Sequence, residues 1–372
     1  MTDSRRTFLQ SGAALAATCG FAPHLLAQTT ALAEPRSFSP QSGAWRSFEL
    51  TTRIDVASPK GVTRVWLPLP SVNSDYQRTM GSSFSSNGQA QLMSDGTDGA
   101  KMLFVEFAPG VSQPYVELTD RFQTQSRAVD WSQKKAPRES ADTLRYFTRP
   151  TMLIPTDGIV RKTALAATQG ARTDVEKTQK IYDWVVANTY REPKVRGCGI
   201  GDIKTMLETG DLGGKCADLN ALFVGLCRSV GIPARDVYGI RLVASKFGYK
   251  ELSGNPASLK GAQHCRSEAY LKGYGWVAMD PADVVKVMRQ ELPEWIKTTN
   301  NPVVAPVNRA LFGGWEGNWM AYNTAHDLAL PKSTGEVLGF FMYPVGENAE
   351  GRFDSLSPDD FKYQITAKEL AV

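Results

Sequence analysis

A chain of 372 residues with 42 % hydrophobic and 22 % charged residues is long enough for two packed domains and too apolar for a disordered protein. Its formal charge of +4 is spread along the sequence, which leaves no basic stripe for a nucleic-acid partner. No run of about 20 strongly apolar residues reads as a membrane span.

Residues 1–33 read as an address and not as structure. Arg5 and Arg6 precede Thr7-Phe8-Leu9 and an Ala-rich, weakly apolar segment, and small residues flank Leu32 in Ala31-Leu32-Ala33. This is the pattern of a twin-arginine signal peptide. It predicts export of a folded chain to a bacterial periplasm or beyond, with no membrane insertion of the mature form. Lipid attachment at Cys19 is disfavoured, because Ala16-Ala17-Thr18 lacks the large aliphatic residue expected before it.

Next, Phe48, Leu50, Thr52, Ile54 and Val56 alternate with polar neighbours, the period of a half-buried strand. Similar runs at 62–67, 102–107 and 115–122, separated by Gly, Asn, Asp and Pro, predict a β-sandwich over 45–130. A polar stretch at 133–142 marks the expected boundary. The core domain is expected at 145–300, starting with helices: Thr173 and Glu176 are spaced as a capping box ahead of Thr178, Ile181, Trp184 and Val185. A second helix is predicted over 215–230, where Leu219, Leu222, Phe223, Leu226 and Val230 share a face and Gly231 and Pro233 stop the run. Strand texture follows at 236–243, 264–271 and 276–280. It returns at 319–330, 337–343 and 361–365, which predicts a β-rich extension over 301–372 packed on the core. The fold class is α+β.

The second helix puts Cys216 in its first turn, after Gly213 and Gly214, which let the backbone enter at an unusual angle. Free N–H groups and the helix dipole there favour a thiolate, as does Lys215. A packed structural thiol is the alternative, and Cys227, three turns along, is an example of one. Beyond the leader the chain has only two histidines, His264 and His326. His264 opens a strand that returns after Lys272-Gly273-Tyr274-Gly275 as Trp276 to Asp280, a predicted hairpin. With its turn near Lys272, His264 and Asp280 fall on one face, where a carboxylate orients an imidazole.

Gly-Gly-Lys-Cys-Ala-Asp at 213–218, Gly-Ile-Pro-Ala-Arg at 231–235, His264 with Glu268, Gly275-Trp276-Val277 and Asp280-Pro281 together resemble the transglutaminase-like superfamily over about 150–285. The resemblance implies a papain-like core with Cys216 as nucleophile, His264 as general base and acid, and Asp280 as the orienting group. The chemistry implied is acyl transfer or hydrolysis at an amide bond of a peptide or protein, with no cofactor and no metal. Arg266 stands where relatives commonly carry Trp; it and Trp276 are expected to bind substrate, although Arg266 also fits a retired site. An inactive scaffold or peptide-binding module is therefore the competing reading. Cys265 is expected to pack or to pair with Cys198. A zinc site lacks any C-x-x-C spacing, and Gly-Cys-Gly-Ile-Gly at 197–201 lacks the flanks of a phosphate loop. The aromatics between Leu311 and Trp319 suit a groove or a core, and no spacing argument places His326-Asp327 at the site.

Overall fold

The computed structural model describes residues 36–57, 59–134 and 139–371; the expected signal peptide, Cys19 and part of the expected boundary lie outside them. Arg46–Asp55 forms as its alternation requires, with Phe48, Leu50, Thr52 and Ile54 buried and the residues between them not. It is the second strand of an antiparallel sheet ordered Tyr363–Leu370, Arg46–Asp55, Tyr115–Thr124, Gln77–Ser86. A second sheet runs Gly351–Arg352, Val345–Asn348, Thr63–Pro68, Lys101–Phe107, Gln89–Ser94.

The strands expected in a C-terminal extension are shared among three sheets instead. Tyr363–Leu370 pairs with Arg46–Asp55, Val345–Asn348 with Thr63–Pro68, and Trp319–Asn323 with Ala234–Arg241. Each covers a backbone edge that would otherwise stand open. Residues 337–343 form no strand: beyond one bridge between Leu328 and Leu338, Leu328, Leu330 and Phe341 bury themselves with Trp66 and Phe104 of the second sheet. Apolar burial without pairing carries the same hydropathy as a strand.

The core is built around the helix Cys216–Ser229, all of whose residues are buried. It packs on the sheet ordered Gly275–Met279, Gln263–Leu271, Ala234–Arg241, Trp319–Asn323. The helices Gly158–Ala167, Asp174–Asn188, Ile203–Thr209 and Pro281–Gln290 pack around it. The capping box of Asp174–Asn188 is present: the Glu176 N–H donates to Thr173 Oγ1 at 3.2 Å and the Thr173 N–H to Glu176 Oε2 at 3.1 Å. No helix among the described residues is long and apolar enough to cross a membrane.

Candidate active site

Cys216 is the first residue of its helix, with Lys215 at the N-cap in extended backbone. The two preceding glycines supply room and not an unusual backbone, since neither has positive φ. Gly213–Gly214 pairs in parallel with Tyr190–Arg191, and a Cβ on Gly213 would fall 2.4 Å from Tyr190 Cζ. A Cβ on Gly214 would fall 2.6 Å from Asp218 Cβ. The Asp218 carboxylate accepts from the N–H groups of Lys215, Ile200 and Gly201, each at 2.9 Å. The Ala217 N–H donates to the Cys198 carbonyl at 2.9 Å. The glycine-rich segment 197–201 is thus a strap across the helix start. Gly199, at φ +91°, has Asp218 Oδ2 1.8 Å from where its Cβ would be, so no other residue fits there.

The hairpin pairs Leu271 with Gly275 and Ser267 with Met279, which centres its turn on Gly273, one residue later than expected. Continuing that register sets Asp280 opposite Arg266, with His264 two residues away on the same face. The diagonal contact still forms: His264 Nε2 lies 2.8 Å from Asp280 Oδ2 and 3.4 Å from Asp283 Oδ2. Asp280 also caps the helix Pro281–Gln290, accepting the Asp283 N–H at 3.1 Å. Asn220 Nδ2 donates to Asp280 Oδ1 at 3.3 Å and to the Cys265 carbonyl at 2.9 Å. Arg241 Nη2 holds both oxygens of Asp283 at 2.5 and 2.6 Å. Behind the imidazole, the Trp319 indole donates to the His264 carbonyl at 2.8 Å. It occupies the space that a Cβ on Gly239 would take.

His264, Asp280 and Asp283 offer ligand atoms within 4.8 Å of one another. Arg241 on Asp283 and Arg266, 3.6 Å from Asp280, already supply the positive charge that a cation would bring, so the set suits an imidazolium better than a metal.

Burial opposes ionisation of Cys216, yet hydrogen bonds from the Cys198 and Cys265 thiols and from His264, together with the His264 charge, hold its thiol well below its ordinary pKa. Burial and Arg241 oppose protonation of His264, but Asp283 and Asp280 outweigh them and push it up to about 9. With Nε2 committed to Asp280, the other ring nitrogen is left for the thiol. The arrangement favours a thiolate–imidazolium pair. The hydrogen bond to Cys216 and burial push the Cys198 thiol well up, and burial and Cys216 do the same to Cys265, so of the three thiols Cys216 is the one favoured as a thiolate.

Residues 161–281 match the family model described as the transglutaminase-like superfamily. An uncharacterized protein of Haemophilus influenzae is 34 % identical over 344 residues, covering 87 % of this chain and 91 % of its own length. The chain belongs to the transglutaminase-like superfamily. Among solved structures, a candidate cysteine protease from Cytophaga hutchinsonii is 17 % identical with a TM-score of 0.48, over 88 % of this chain and 99 % of that one. The periplasmic domain of TgpA from Pseudomonas aeruginosa is 16 % identical with a TM-score of 0.35, over 74 % of this chain and 98 % of that one.

In this transglutaminase-like core a cleft of 410 Å³ reaches Cys216, Cys198, Gln263 and His264. The two residues expected to bind substrate do not line it. Arg266 is 2 % exposed, stacks on the Trp319 and Trp315 rings, and donates to the Glu316 carbonyl at 3.0 Å. Its diagonal place behind His264 turns it toward the Trp319–Asn323 side of the sheet. Trp276, across the hairpin, meets Phe147 and Tyr270 edge to face beneath Arg235, and its indole donates to Glu139 at 3.0 Å. Trp315 and Trp319 are core residues. Cys198 and Cys265 are both free thiols flanking Cys216. His326 contacts Tyr238 and Asp236, outside the cleft lining.

Sequence reasoning missed Asp283, Asn220, Arg241 and Gln263. Asp283 was findable, because Asp-Pro-x-Asp reads as a helix N-terminus. Gln263 has a buried side chain whose oxygen and nitrogen both lack partners, which no spacing rule signals.

Proposed function

We propose that the chain is an exported cysteine enzyme that cleaves or transfers the acyl group of an amide bond in a peptide or protein. The observation that carries this reading is the chain of contacts from Asp280 through His264 to Cys216 at the mouth of a cleft. The Cys216 thiolate attacks the carbonyl carbon; an S–C bond forms and the electron pair moves onto oxygen. The oxyanion is met by the Cys216 N–H, which has no intrahelical acceptor in the first turn, and by the unpartnered Gln263 amide on the cleft wall. The intermediate collapses, the C–N bond breaks, and the amine leaves with the proton of His264. Water or a second amine then attacks the thioester while His264 takes its proton, and Cys216 departs as thiolate.

The inactive-scaffold reading drew on Arg266 as a cation that discourages the imidazolium. Its stacking on Trp319 and its contact with Asp280 give it another role, that of filling the space behind the triad. The test is mass spectrometry of Cys216 after mixing with a peptide library, with and without added amine. An acyl adduct that Cys216→Ser abolishes, followed by release of acid or of the new amide, is expected. A protein that forms no adduct and releases no product from any peptide overturns the reading in favour of the scaffold.

A further inference from the structure

Besides His264, the cleft is lined by five Lys and Arg side chains, Arg191, Lys215, Arg241, Lys260 and Lys286, and by no carboxylate. Three are neutralised from behind: Arg241 by Asp283, Lys260 by Asp359 at 2.5 Å, and Lys286 by Glu251 at 3.3 Å. Arg191 and Lys215 form no ion pair among the described residues. Arg191 Nε donates to the neutral Gln290 amide at 3.1 Å. Asp218, the acid nearest Lys215 in sequence, spends its carboxylate on three backbone N–H groups.

The fold puts these two charges together. Parallel pairing sets Arg191 opposite Gly214, the residue before Lys215, and Lys215 is followed directly by the nucleophile. Like charges side by side in a half-buried wall repel; burial and the Arg191 charge lower the Lys215 pKa accordingly. A planar donor fork beside a mobile ammonium is a receptor for a carboxylate.

We infer that the acyl donor carries a carboxylate, seated between Arg191 and Lys215 beside the Cys216 thiol. The inference rests on the reading of Cys216 as the nucleophile and deepens it to a substrate class. The carboxylate has two possible sources, an acidic side chain near the scissile bond or the free C-terminus of a short peptide.

The experiment compares alkylation of Cys216 by iodoacetate, an anion, and by iodoacetamide, its neutral analogue, at pH 7, each normalised to free cysteine. The expected normalised ratio is about 10 or more, shrinking in 1 M salt. It falls several-fold in the double variant Arg191→Gln/Lys215→Gln, to the part that the His264 imidazolium alone maintains, and further in Arg191→Glu. Should the double variant misfold, the salt titration and the single charge reversal carry the same information. A wild-type ratio equal to that of free cysteine and indifferent to salt overturns the inference. Slow labelling by both reagents sinks the nucleophile reading, while the ratio, measured all the same, still decides the anion site. Protection from iodoacetamide by a Glu-containing peptide with an amidated C-terminus, against one with a free C-terminus and no acidic side chain, identifies the source. Protection by neither at millimolar concentration overturns the substrate class.

Discussion

His264 Nε2 lies 2.8 Å from Asp280 Oδ2, and with Asp283 on the same nitrogen this contact makes a buried imidazole a cation. The His264 pKa is pushed up to about 9 while that of Cys216 is held well below its ordinary value. The ion pair is therefore the dominant form between those two limits. Iodoacetamide labelling of Cys216 should be fast and nearly flat from about pH 6 to pH 8. In His264→Ala the thiol loses its cation, and the rate at pH 6.5 should drop about 100-fold, the thiolate fraction lost when a pKa returns to about 8.5. A wild-type rate that rises tenfold per pH unit through this range would show an ordinary thiol.

Asp280 makes two separable contacts, since its carboxylate meets His264 and also caps the helix Pro281–Gln290. Asp280→Asn keeps the cap but takes the carboxylate from the buried Arg266 and His264 charges, so its Tm should fall less than that of Asp280→Ala, while loss of the carboxylate charge lowers kcat/KM by about 10²-fold or more. Asp280→Ala loses both and should also cost about 1 kcal/mol of stability. Equal losses of activity and Tm in both variants would mark Asp280 as structural only. Denaturant midpoints beside the kinetics make the separation.

Gln263 has a buried amide with no partner, so removing it unpairs nothing in the resting protein. Gln263→Ala should lower kcat about 10²- to 10³-fold, the usual loss for one oxyanion donor, with KM and Tm nearly unchanged. Unchanged kcat would leave the second donor to be found elsewhere.

Much of the candidate site is legible in the sequence because it depends on periodicity. The helix face of Leu219, Leu222 and Phe223 places Cys216 at a helix start, and the strand parity of His264 survives a one-residue error in the turn because two positions preserve a face. What was not legible depends on the third dimension. Arg266 points where Trp319 lies, across a strand 53 positions away in sequence, and Arg191 reaches Lys215 through a two-residue parallel bridge too short to leave a pattern. In the N-terminal sheets, Gln77–Ser86 and Gln89–Ser94 escaped because they are edge strands with almost no buried residue. Without a buried face there is no apolar alternation to read.

Asp120 carries a pH-dependent cost away from the site. It is 1 % exposed, on the strand Tyr115–Thr124, and accepts a hydrogen bond from Ser82 Oγ at 2.5 Å. Burial pushes its carboxyl up to about 7, against the opposing pull of Ser82. A raised pKa means that the folded chain keeps its proton while the unfolded chain ionises near 3.9. The stability it contributes is therefore fully present below about pH 4 and is lost progressively as pH rises to 7. The loss is on the order of 4 kcal/mol, about three pH units at 1.36 kcal/mol each. Asp120→Asn cannot ionise and keeps the acceptor for Ser82, but buries two amide N–H groups at a cost of about 1–3 kcal/mol. Urea midpoints of the two proteins should therefore cross: the variant is the less stable at pH 4 and the more stable at pH 8. Asp236, also pushed up to about 7 by burial, is present in both chains and cancels in the difference. Parallel stability curves from pH 4 to pH 8 would show that Asp120 titrates alike in the folded and unfolded chains.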